Sequence, residues 1–61
     1  MAEPTEPDVH SIATAMIAKY GSRAEHYAEL RVQAHRWANE PEGAELWRRS
    51  ADAIRIILNG N

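Results

Sequence analysis

Two interruptions limit what this chain can fold into: Gly21, and the run Asn39-Glu40-Pro41. Between and beside them, apolar residues recur at three- and four-residue intervals, the spacing of one face of an α-helix. The expected fold class is all-α, a short three-helix domain with an antiparallel hairpin formed by helices 2 and 3. A chain of 61 residues makes at most one domain and buries a smaller fraction of its surface than a typical one. It has no cysteine, which removes disulfides, thiolate metal sites and cysteine catalysis together.

The first helix is predicted over Asp8 to Tyr20, with Val9, Ile12, Ala13, Met16, Ile17 and Tyr20 on one face and Asp8 as N-cap, Ser11 competing with it. Gly21 suits a left-handed C-cap, and Ser22 with Glu25 has the S-x-x-E spacing of a capping box that would open the second helix. That helix is predicted from Arg23 to Ala38, with Tyr27, Leu30, Ala34 and Trp37 as its stripe and Ala24, Ala28 and Ala38 on the shoulder. The alanines permit close approach of a neighbour, whereas Tyr27 and Trp37 supply area to bury. In the turn, Asn39 tolerates the left-handed conformation after a helix, Glu40 takes the next N-cap, and Pro41 the first helical position, where its missing N–H costs nothing.

The third helix, Pro41 to Leu58, carries Gly43, Trp47, Ala51, Ile54 and Leu58 along one face, with Leu46, Ser50 and Ile57 beside them. Glu42 and Glu45 favour the positive end of its dipole. So short a turn makes helices 2 and 3 antiparallel neighbours and sets Trp37 and Trp47 near one end of their seam. Gly43 costs a helix about 1 kcal/mol, so it points to a close backbone approach or an easy helix start. Residues 1–7 read as a disordered acidic tail, 8–58 as the helical domain and 59–61 as a frayed C-terminus.

The run SRAEHYAELRVQAHRWANEPEGAELWRRSADAI resembles a family of small, uncharacterised helical proteins from alphaproteobacteria. The positions that carry the resemblance are Gly21, Ala24, Ala28, Arg31, Gly43, Ala44, Trp47 and Ile54, over roughly the last two thirds of the chain. Asn39-Glu40 stands where that family carries Gly-Asp. The resemblance implies a small helical fold and no particular activity.

Candidate chemistry is sparse. His10, His26 and His35 form no H-E-x-x-H pattern, and His26 with Glu29 is an ordinary pair of surface neighbours, so no metal or cofactor is expected. Glu40, Glu42 and Glu45 lie at a turn with no evident wall to shift their pKa values, and Ser11, Ser22 and Ser50 come with no base and orienter. An enzyme is not expected, and no small-molecule substrate is indicated. Arg48, Arg49 and Arg55 on the last helix carry the alternative reading, a small DNA- or RNA-binding regulator. Glu45 and Asp52 are spaced to neutralise them, and nine acidic against seven basic residues supply no long-range attraction. The acidic opening MAEPTEPD is the reverse of a basic signal-peptide start, and no run approaches a membrane span, giving the expectation of a cytoplasmic protein.

What remains is an interaction protein, a non-catalytic accessory subunit that self-associates or docks on a larger protein. Ile17, Val32, Leu46 and Ile56 leave more apolar width than a minimal hairpin needs. The expected contact residues are Tyr27, Trp37, Leu46, Trp47, Arg48 and Ile56. Trp47 is the sharper of the two aromatic anchors, because Arg48 and Arg49 beside it can form a polar rim.

Overall fold

The computed structural model describes residues 6–60, with side chains from residue 9 onward. Among them the chain forms three α-helices, α1 (Glu6–Tyr20), α2 (Ala24–Trp37) and α3 (Pro41–Leu58), as the periodicity predicts. Helix α3 packs against both others, most extensively against α2. Helix α1 begins at Glu6, two residues before the predicted cap Asp8. Pro7 is compatible with this start, because the first N–H groups of a helix have no intrahelical acceptor to lose. The rest of the expected tail, residues 1–5, lies outside the described residues.

At the first junction Gly21 takes the expected left-handed conformation, φ +63°. The capping box does not form. Gly21–Arg23 wind into a 3-10 turn, the Ala24 N–H bonds the Gly21 carbonyl, and Arg23 occupies the N-cap of α2 with no side-chain cap bond. Ser22 therefore sits one residue too early to cap a helix that begins at Ala24. The rings on either side hold the junction: Tyr20 ends α1 and stacks on Tyr27 in the first turn of α2, with centroids 4.2 Å apart and planes at 28°. At the other end, Asn59 and Gly60 follow α3 with N–H bonds to the Arg55 and Ile57 carbonyls and Gly60 at φ +79°; the last residue of the expected frayed end, 61, lies outside the described residues.

The interior is built from small side chains. Among the described residues the buried apolar positions are Ala13, Ala24, Ala28, Val32, Ala44, Ala51 and Ile54, of which only Val32 and Ile54 are larger than alanine. Met16, Ile17, Tyr20, Trp47 and Ala53 pack around this cluster, so the predicted face of α1 is the one that faces inward. On α2 the prediction is corrected. The buried line is Ala24, Ala28 and Val32, one helical turn apart, while Leu30, Ala34 and Trp37 face out. Three helices joined by three-residue links meet closely, and an alanine face lets their backbones approach where a leucine and tryptophan face would hold them apart. On α3, Ala51 and Ile54 are buried as expected, whereas Ile57 and Leu58 stay exposed. The fully buried Ser50 hydroxyl donates to the Leu46 carbonyl at 2.9 Å, which accounts for it as a satisfied core group.

Candidate functional site

The turn between α2 and α3 follows from Asn39. With Asn39 at φ +63°, its N–H reaches the Arg36 carbonyl at 3.0 Å and the Glu40 N–H reaches the His35 carbonyl at 2.8 Å. These are the two bonds of a Schellman motif, which brings His35 and Glu40 together. Their side chains meet as well: His35 Nδ1 donates to Glu40 Oε1 at 2.7 Å. The imidazole lies on the backbone of Gly43, so close that a Cβ there would fall 2.5 Å from Nδ1 and 2.9 Å from Cγ. Gly43 is thus a close-approach glycine, the first of the two readings its helical cost suggests. His35, Glu40, Pro41, Glu42 and Gly43 line an open recess of about 450 Å³. It contains the imidazole and its orienting carboxylate, and its lining offers no hydroxyl or thiol for them to activate.

This geometry sets a sign test. Gly43→Ala is expected to destabilise the chain by about 1 kcal/mol, because the added methyl must push the ring off its seat and away from Glu40. With His35→Ala already in place, the same change is expected to stabilise by up to about 1 kcal/mol through helix propensity alone. Denaturant melts of the four proteins measure both; an effect of equal sign in the two backgrounds would contradict the contact.

The six expected contact residues do not gather into one patch. Trp47 is half-buried against the core, and the Arg31 guanidinium lies 5.4 Å from its ring centroid. Trp37 is 88% exposed, so of the two tryptophans it is the one whose ring the fold leaves open to solvent. Tyr27 is occupied by its stack on Tyr20, Leu46 is half-buried, and Arg48 is exposed. Ile56 is 52% exposed but lies about 22 Å along the α3 axis from Pro41, at ~1.5 Å per residue, and so far from the turn that Trp37 precedes. Two separate apolar areas result: Leu30 and Trp37 on α2, and Ile56, Ile57 and Leu58 at the end of α3.

The arginines of α3 are engaged as their spacing suggests. Glu45 accepts from Arg48 at 3.3 Å and from Arg49 at 3.1 Å, and Asp52 accepts from Arg55 at 3.2 Å. The Glu45 carboxyl is held below its ordinary value of 4.5, first by the Arg48 hydrogen bond and then by that of Arg49. A carboxyl lowered in the folded state contributes stability that is present above about pH 4.5 and lost as pH falls from there through the lowered value. Melts across the acid range should therefore show Glu45→Gln and the native chain converging below that window and differing by a constant amount above it. A difference that persists unchanged into strong acid would contradict the pairing.

Among the described residues no group of three or more His, Asp or Glu is placed to hold a metal ion, and no helix is long and apolar enough to cross a membrane. Comparison with protein-family models, with curated proteins and with solved structures gives no match. The His35–Glu40 pair is the feature that sequence reading passed over. Its signal was present, since an asparagine placed just past a helix brings the residue four before it beside the residue after it.

Proposed function

We propose that the chain is a non-catalytic helical interaction module, a small accessory subunit that works by seating an apolar helix surface against another protein surface. The observation that carries this reading is an inversion of size: among the described residues five of the seven buried apolar ones are alanines, while Leu30, Trp37, Ile56, Ile57 and Leu58 are exposed. A core of alanines removes little apolar area from water, and an exposed tryptophan keeps a large area in it. Covering that area on a partner lowers the free energy of both the surface and the fold, since a partner that binds only the folded chain stabilises it by mass action.

The module in this reading is a hairpin of antiparallel helices α2 and α3. Its support is the direction of the contacts: His35 meets Gly43, and Arg31, four residues earlier on α2, meets Trp47, four residues later on α3. Of the positions that carry the resemblance noted from sequence, Ala24, Ala28, Ala44 and Ile54 are buried, Gly43 seats the His35 ring and Arg31 covers Trp47. What the resemblance carries is packing, which fits a scaffold more readily than a catalyst.

A photo-crosslinking amino acid at position 37, compared with one at the exposed Thr14 of α1, tests the reading in the source cell. Position 37 is expected to give a discrete protein adduct that position 14 does not. Equal, diffuse background from both positions would refute it.

A further inference from the structure

We infer that two copies of this chain pair through the outer faces of α2, running in opposite directions about a two-fold axis near the middle of that helix. The inference rests on the docking reading above and names its partner. Leu30 and Trp37 are exposed and seven residues apart, the recurrence of one heptad position. With those two at position a, His26 and Gln33 fall at d, Tyr27 and Ala34 at e, and Glu29 and Arg36 at g. Glu29 and Arg36 are both exposed, lie on the same flank, and join no ion pair among the described residues.

Helices that pair in opposite directions set one g flank against the other. Glu29 of each copy then comes beside Arg36 of the other, and the two-fold axis makes the contact twice. Pairing in the same direction would set g against e, where Tyr27 and Ala34 stand, and would leave both charges unmatched. Ala34 is small and exposed, which lets the second helix approach, and Gln33 near the axis can hydrogen-bond its own counterpart and fix the register. The surface is therefore complementary to itself in charge as well as in apolar area.

Area sets the strength. Helix α2 has 14 residues, about 21 Å of length at ~1.5 Å per residue, and a pair that short buries less than the roughly 1,200 Å² of stable complexes. Each Trp37, exposing on the order of 200 Å², supplies a large share of it. The dimer is thus a weak, reversible one whose population depends on concentration.

Sedimentation or native mass measurement across a dilution series tests this. The native chain is expected to pass from dimer to monomer mass on dilution, and Trp37→Ala to weaken the dimer by about tenfold or more. Glu29→Arg and Arg36→Glu each place like charges on both flanks and are expected to be monomeric alone. An equimolar mixture of the two is expected to recover the dimer, an outcome that misfolding of either would not produce. A native chain that stays monomeric at the highest concentration overturns the pairing, as does a dimer indifferent to all three substitutions. A monomer that still crosslinks from position 37 to a different protein overturns the pairing and leaves the docking reading standing; a monomer with no such adduct overturns both.

Discussion

Ile54→Ala is expected to cost about 2–5 kcal/mol and to leave a large fraction of the chain unfolded at ambient temperature. Among the described residues Ile54 has the largest fully buried side chain, and since the buried members of its cluster, Ala13, Ala24, Ala28 and Ala51, have no longer chains, only the partly buried side chains around them are left to relax toward the space it would vacate. A core this small rarely supplies more than about 3–5 kcal/mol in total, so the loss and the whole stability are of the same size. Far-UV circular dichroism with a urea titration measures it. A midpoint within experimental error of the native chain would mean that the helices are held together elsewhere.

The second large effect comes from adding volume. Ala28→Leu is expected to destabilise by about 1–3 kcal/mol or more, because Ala28 has no exposed surface and lies where α2 meets its neighbours. Leucine and alanine differ little in helix propensity, so the cost is one of space. Ala34→Leu, six residues on and on the exposed side of the same helix, supplies the control and, measured at a dilution where the chain is monomeric, is expected to stay within about 0.5 kcal/mol of the native chain. Equal melting behaviour of the two variants would show that α2 faces its neighbours by a different side.

The contrast between Ala28 and Ala34 also shows what the sequence made legible. The breaks at Gly21 and Asn39 were readable because a left-handed residue is a local demand that glycine and asparagine meet directly. The inward face of α1 was readable too, since its apolar residues are large and lie on one side only. Helix α2 was different: it has an alanine line through Ala24 and Ala28 and a line of larger side chains through Leu30 and Trp37, and side-chain size ranks the second above the first. Which line faces inward depends on how close the other helices come, a tertiary quantity with no local signature. The same difficulty applies to the exposure of the two tryptophans, Trp37 open to solvent and Trp47 packed against the core. Arg48 and Arg49 beside Trp47 suggested a polar rim, but Glu45 engages both and Arg31 lies over the ring. The expected contact set mixed residues of the interior, the turn and the far end of α3 because exposure had to be guessed one residue at a time.

The two three-residue links have a kinetic meaning. Each helix meets the next almost as soon as the chain between them has wound, so little loop entropy is spent before packing begins. Helical domains dominated by such near neighbours fold in microseconds to milliseconds. The molecule is therefore expected to reclose on that timescale whenever it opens, rebuilding the surface bearing Trp37 at each closure. On the docking reading proposed above, the waiting time for a partner would then be set by encounter rather than by the chain finding its shape.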